Sequence, residues 1–465
     1  MKRSAKRILT MALIVAMAMA LITTGFATGG TGDRITVILD GNALSFPDAA
    51  PTIRDGYSYV PFRALLEAMG AEVRYDDETQ TVTAEKDGTV LNFVIGQESI
   101  SVTKDGETET VAADAASYIE NQRTMIPVNF VAKAFGFLVG WDETERAVVL
   151  IDADKLIDAY AGKFSVMDQY LEYSQGFNEK AYAFTGDFTL DMKVTAPGEP
   201  AVPVGISGTI EGLSYQNLMN MNLDMSIDIS DYFSDLMSLS PEDGGQETQQ
   251  ILDMLKNVEI DYIINLDEGK VYLRSPIFSM AGIPNVSEDS WLYIDLNKIF
   301  SMSGVDLDIE ALLKAANQSG FAEYLVNAYG LMGINSAGAF DTLTQTLDQM
   351  EDMFGDSAFS KAGDSYVSNY ASTENGADMT IRMVLNQKYE KINGYDMTMT
   401  INMGEDLGSA KITASQTGYK NADVTMTFTV PNLLDYAIKM NMEFTETDRT
   451  PDEAPPAESE IVPLF

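Results

Sequence analysis

The chain has 465 residues and a formal charge of −40, with no cysteine and no histidine; a length beyond one hydrophobic core implies two or more domains. Disulfides, thiolate metal sites, cysteine nucleophiles, imidazole-held copper, zinc or haem, and serine–histidine catalysis are thereby excluded. The excess of acid denies nucleic acid the basic patch it needs, and it repels anionic lipid surfaces and teichoic acids unless divalent cations bridge. At the N-terminus, Lys2, Arg3, Lys6 and Arg7 precede an apolar stretch from Ile8 to Ile22 and small residues through Ala27. This pattern predicts an export signal over residues 1–27, because the stretch falls short of the ~20 apolar residues of a membrane span. No later apolar run reaches that length, acylation would need the absent cysteine, and no LPxTG pattern occurs. The mature protein is expected to be secreted, either free or held at the cell envelope by non-covalent contacts.

A segment then occurs twice. Tyr59-Val60-Pro61-Phe62-Arg63 runs through Leu65, Leu66, Met69 and Gly70 to Val73, Tyr75, Asp76 and Val82. Met125-Ile126-Pro127-Val128-Asn129 runs through Val131, Ala132, Phe135 and Gly136 to Val139, Trp141, Asp142 and Val148, aligning without a gap. In each copy Pro marks the first helical position and Gly the left-handed cap beyond the end. Phe62, Leu65, Leu66 and Met69 form one apolar helix face, and Val128, Val131, Ala132 and Phe135 the other. Tyr75-Asp76 and Trp141-Asp142 open polar turns into short strands, Thr81 to Glu85 and Ala147 to Ile151. Each copy reads strand–helix–strand–turn–strand, and the two are expected to share one core. These residues, with Asp40-Gly41, Pro51, Gly56, Gly70-Ala71, Arg123-Thr124 and Phe130-Val131-Ala132, resemble the copper amine oxidase N-terminal-like family, the stalk domain of secreted Gram-positive proteins. The resemblance runs from Asp33 to Asp152, with Asn129 a departure where the first copy has Arg63. It implies a non-catalytic accessory module for wall or surface placement.

From Asp152 to Lys180 the spacing of Leu156, Ile157, Tyr160, Phe164, Met167 and Leu171 predicts a helical linker over 153–180. Beyond it the period becomes two. Phe184, Phe188, Leu190, Met192 and Val194 alternate with polar residues, as do Met219, Met221, Leu223, Met225 and Ile227. Further strands carry Met379 to Leu385, Met397, Met399, Ile401 and Met403, then Val424, Met426 and Phe428, then Ile438, Met440, Met442 and Phe444. Such alternation gives each strand one wet and one dry face. Helices from Asp308 to Leu331, capped by Asp306 or Asp308, and from Ala339 to Phe354 are predicted as a helical insert covering the dry face. The antiparallel β domain is therefore placed at 181–447, and the acidic, Pro-rich residues 448–465 are expected to be a disordered tail.

The alternating strands, with Gly269-Lys270-Val271-Tyr272 and the Trp-led strand Trp291 to Asp295, resemble LolA-like lipoprotein carriers. That resemblance implies a half-open barrel with apolar ligands held between sheet and helices. The whole chain is expected to be α+β. Its 26 methionines allow a thioether site for Cu(I), but each Met-x-Met pair is interleaved with Leu, Ile or Phe, which favours an apolar core or an adaptable ligand face. The candidate ligand residues are Met219, Met221, Met225, Met397, Met399, Met403, Met426, Met440 and Met442. The carboxylates Asp306-Asp308-Glu310 and Asp142-Glu143-Glu145 lack the spacing of a calcium loop and read as a helix cap and a solvated turn. The resulting expectation is a non-enzymatic envelope protein without catalytic residues, cofactor or metal, with a wall polymer and an apolar molecule or lipid as partners. The alternative is a structural or adhesive surface protein without a small ligand.

Overall fold

The computed structural model describes residues 35–113, 115–195, 201–229, 253–280, 283–302, 320–374, 376–404 and 407–464. The export signal, the Asp306 and Asp308 caps and the first part of the helix expected from Asp308 lie outside the described residues. Among the described residues the protein is mostly β, 52% strand against 20% helix, and so richer in strand than the α+β class expected. Two compact units form: residues 35–161 with 322–348, and residues 162–321 with 349–464.

The N-terminal unit is built around the repeated segment. Strands β1 (Thr36–Leu39) and β2 (Asn42–Ala43) precede the hairpin β3 (Thr52–Arg54) and β4 (Tyr57–Pro61), helix α1 (Phe62–Ala68) and strands β5 (Glu72–Asp76) and β6 (Thr81–Lys86). Strands β7 (Thr89–Val94), β8 (Ser99–Lys104) and β9 (Glu107–Ala112) extend β5 and β6 into a five-stranded sheet. The order then recurs as β10 (Tyr118–Glu120), β11 (Arg123–Pro127), α2 (Val128–Ala134), β12 (Phe137–Asp142) and β13 (Ala147–Asp152), closed by α3 (Ala153–Ala159). Pro61 and Pro127 stand one residue before their helices, at φ −59° and −64°, so they fix the entry dihedral from the N-cap and not from the first helical position. Gly70 and Gly136 take φ +87° and +77° beyond the helix ends, the left-handed cap that only glycine adopts without strain.

Strands β4 and β11 pair antiparallel with Val60 opposite Ile126; these two residues are equivalent in the aligned copies, so the pairing is that of a local twofold. Val60, Leu65, Leu66 and Met69 share one buried cluster with Ile126, Val131, Ala132 and Phe135. All six residues of β13 are buried, flanked by β12 on one side and by β1, in parallel, on the other.

The second unit opens with α4 (Ser165–Gly176). The expected linker is thus two helices, because Gly162 turns left-handed at φ +71° and breaks the run between α3 and α4. Long strands follow: β14 (Ala181–Val194), β15 (Val202–Tyr215), β16 (Leu218–Asp228), β17 (Val258–Asn265), β18 (Lys270–Arg274), helix α5 (Pro276–Met280), β19 (Trp291–Asp295) and helix α6 (Leu296–Met302). After α7 (Phe321–Leu331) and α8 (Ala339–Phe354) come β20 (Phe359–Ala362), β21 (Ser365–Glu374), β22 (Ala377–Lys388), β23 (Lys391–Asn402), β24 (Ser409–Thr417), β25 (Asn421–Val430), β26 (Leu434–Thr447) and β27 (Ile461–Pro463). All join one 14-stranded sheet in the order β20-β21-β22-β23-β24-β25-β26-β14-β15-β16-β17-β18-β19-β27. Its halves meet at β14 and β26, paired from Ala181↔Thr447 to Val194↔Leu434. β20 and β27 are its two edges, so the sheet stays open.

The acidic tail is ordered: β27 pairs in parallel with β19, Trp291 opposite Ile461, and Asn220 and Asp452 exchange hydrogen bonds on the way. Composition marked this segment as unable to build a core, but an edge strand needs only a neighbour with open backbone groups. Residues 322–348, read from the sequence as part of the helical insert of the β domain, belong to the N-terminal unit, where Ile334 accepts a backbone bond from Trp141 at 3.1 Å and Ala337 N–H donates to Asp142 Oδ2 at 2.8 Å. A Cβ on Gly140 would fall 1.9 Å from the Ile334 carbonyl oxygen, so glycine is what lets this segment close the edge of β12.

Candidate ligand-binding face

Strand register gathers the alternating apolar residues of the sheet unit on one face. Met440 lies opposite Phe188, Phe188 opposite Gly208 and Gly208 opposite Met225. One row nearer the start of β14, Met442, Gly186, Ile210 and Leu223 stand in line, followed by Phe444, Phe184, Gly212 and Met221. In the other half Met426 faces Ile412, Ile412 faces Met399, and Met397 faces Met383. Eight of the nine candidate methionines thus share one face; Met403 falls just past the end of β23, where its N–H bonds the carbonyl of Gly408 at 2.9 Å.

Large and vanishing side chains alternate along this face. A Cβ on Gly212 would come 2.6 Å from the Phe184 ring, and one on Gly208 would come 3.0 Å from the Phe188 ring. Both rings lie down over the neighbouring glycine, a cross-strand arrangement in which the aromatic side chain covers backbone that glycine leaves bare.

One end of the face is a packed core. Its cover includes α4 and the turn after it, and the last turn of the expected helix α8 also packs there, Met353 accepting from Ser368 Oγ at 2.7 Å. The Tyr170 and Tyr395 rings meet edge to face at 5.7 Å, the Tyr173 and Tyr419 rings stack at 5.0 Å, and Phe177 stacks on Tyr182 at 3.9 Å. Tyr173 Oη donates to the Gly418 carbonyl at 2.6 Å, and Tyr419 Oη donates back to the Tyr173 carbonyl at 2.7 Å. Burial pushes the Tyr173 and Tyr395 phenols well up and that of Tyr182 to about 12, so all three stay protonated and serve as apolar bulk, with Tyr173 also donating. Beneath them Met219, Met397, Met399 and Met442 are 3–4% exposed. Helical spacing in the sequence marked Met167 and Leu171 but not the aromatic residues that do the covering; Tyr170 and Tyr173, three apart on α4, were the available signal.

Toward the other end burial falls away. Met221, Met225, Met426 and Met440 are partly buried, as are Ile206, Ile227 and Ile438, and Val194 reaches 40% exposed. The opposite face is polar along β15 and β16 and carries a small buried apolar cluster of Ile263, Tyr272 and Trp291 farther on. There the tail roofs a groove of about 520 Å³ lined by Asn222, Asp261, Arg274 and Trp291, in which Arg274 is already held by Asp261 at 2.6 Å.

The sheet and its apolar face define a two-part protein: a small mixed domain joined to a large open β unit. Residues 38–151 match the family model of the copper amine oxidase N-terminal domain. The match is to the N-terminal domain of that family and not to its catalytic domain. No curated protein matches the chain. A solved structure titled "Lipid-protein interactions in lipovitellin" aligns at 10% identity and TM-score 0.19, covering 60% of this chain and 26% of that chain; a likeness this slight establishes neither fold nor ligand. Among the described residues no helix is long and apolar enough to cross a membrane.

Proposed function

We propose that the chain is a secreted, non-catalytic cell-envelope protein whose N-terminal domain acts as a stalk for wall or surface placement. Its sheet unit binds an apolar or amphipathic ligand such as a lipid. The leader residues of the sequence support export, and the family match of residues 38–151 supports an accessory domain. The observation that carries the ligand reading is the graded burial of a single continuous face: packed under α4 at one end, partly buried around Met225, Met426 and Met440 at the other. Apolar ligand surface there would leave water at roughly 25 cal/mol per Å², before ordering costs. Methionine suits such a face because its thioether chain repacks around varied shapes.

Uptake of a fluorescent apolar probe by the full chain tests this reading. Met225→Asp combined with Met440→Asp puts charge into the row on either side of Phe188 and Gly208. Probe uptake is expected to fall while the far-ultraviolet dichroism of the strands persists; undiminished uptake would exclude this end of the face. The burial of Met219, Met397, Met399 and Met442 favours the second reading, a structural or adhesive surface protein. It predicts retention of the full chain on isolated cell walls and no probe uptake at all.

A further inference from the structure

The two copies in the N-terminal unit differ where they face solvent, and the difference isolates a groove. Around the first copy every cation of the corresponding surface is neutralised. Arg63 pairs with Glu67 at 3.5 Å, Arg74 with Glu72 at 3.6 Å and Arg123 with Asp48 at 2.9 Å. In the second copy Asn129 replaces Arg63, Lys133 replaces Glu67, Gly140 replaces Arg74 and Arg146 replaces Gln80. Among the described residues neither Lys133 nor Arg146 has an ion-pair partner, and the buried Arg146 Nε has no acceptor.

Both cations line one groove of about 630 Å³, with Ile53, Tyr57, Asn129 and Trp141. The groove's carboxylate, Glu143, is engaged by the Trp141 indole N–H at 2.5 Å. A second groove of about 720 Å³ on the other flank of α2 also includes Asn129 and Lys133, but Asp105, Glu107 and Glu109 line it too, which confines an anion to the first groove. Arg146 lines the groove without an ion-pair partner among the described residues, and a carboxylate meets the exposed edge of a guanidinium in the geometry it prefers. Tyr57 and Trp141 offer aromatic bodies with polar tips to a ring whose faces are C–H and whose rim is hydroxyl. In a chain of charge −40, long-range attraction cannot bring an anion here, so recognition must be local and short-ranged.

We infer that this groove binds an acidic polysaccharide, with a sugar carboxylate on Arg146 and Lys133, sugar rings against Tyr57 and Trp141, and a hydroxyl on the Asn129 amide. The inference deepens the surface-placement half of the proposed function and makes no use of the apolar face.

The test is titration of the full chain with a galacturonic acid oligomer, read by tryptophan emission, with an uncharged glucose oligomer and polyglutamate as comparisons. Saturable binding of the acidic oligomer alone is expected. Lys133→Glu with Arg146→Gln installs the residues of the first copy, which that copy already accommodates, and should weaken binding by about tenfold or more. Asn129→Arg with Lys133→Glu, which rebuilds the ion pair of the first copy, should do the same with Arg146 intact. No saturable binding, equal binding of the uncharged oligomer, or unchanged affinity in both variants would overturn the inference. Equal or tighter binding of polyglutamate would overturn it in favour of an acidic peptide. Retention on cell walls without oligomer binding would remove this groove and leave the surface placement standing; loss of wall retention with binding intact would do the reverse.

Discussion

Asp76 and Asp142 occupy equivalent turns in the two copies and do different amounts of structural work. Asp76 accepts from the backbone of Glu78 and Thr79 at 2.8 and 3.2 Å. Asp142 accepts from Thr144 and Glu145 at 2.8 and 2.9 Å and, on its other oxygen, from Ala337 at 2.8 Å. Burial opposes ionisation of Asp142, yet the N–H groups of Glu145, Ala337 and Thr144 outweigh it and hold the carboxyl below its usual range. The stability this carboxylate contributes is therefore complete above the unfolded carboxylate value and is lost as pH falls through the lower, folded value. Asp142→Ala should cost about 2–3 kcal/mol, read from denaturant midpoints, and should cost more than Asp76→Ala. Asp168 behaves in the opposite sense. Burial and the nearby Asp356 raise its pKa, against the hydrogen bond that it accepts from Phe321 N–H at 2.7 Å. Its contribution is complete below the unfolded value and fades as pH rises through the folded one. Asp168→Asn keeps the acceptor and removes the charge, so it should raise the melting temperature at neutral pH and change it little in acid.

At the scale of elements, period and punctuation told most of the story. The Pro and Gly around Phe62–Ala68 and Val128–Ala134 marked both helices because each acts through its own dihedral. Alternation located the long strands because one face of each had to be dry. What escaped was decided by neighbours far away in sequence. The linker helix broke at Gly162, whose left-handed φ an isolated glycine in a helical pattern does not reveal. Residues 461–463 became a strand because β19 left an edge open, a property of β19 and not of the tail. Removing residues 448–465 should re-expose that edge. The shortened chain is expected to self-associate in light scattering while the intact chain remains at its own mass at the same concentration; identical masses would show that the tail does not protect the edge.

At the scale of the molecule, the sequence marked two domains but not the membership of residues 322–348, since the contacts of Ile334 and Ala337 with β12 leave no trace in local pattern. The candidate face was legible as a set of residues and not as a site. Period two placed Met219 to Met225 and Met397 to Met403 on dry faces, but only register brought strands more than two hundred residues apart into common rows, as Met442 stands beside Gly186 and Ile210. Which methionines are sealed and which are partly open depended on where α4 and the end of α8 lie, and the aromatic residues of α4 read equally well as a linker. Under the proposed function, the partly buried end of this face holds an apolar or amphipathic ligand. Native mass spectrometry of the protein purified from its secreting cell, followed by solvent extraction, tests it most directly. A discrete bound mass that extracts as lipid is expected, and it should be lost when Met225 and Met440 are both replaced by Asp. A protein that carries only its own mass and takes up no apolar probe would contradict the proposal.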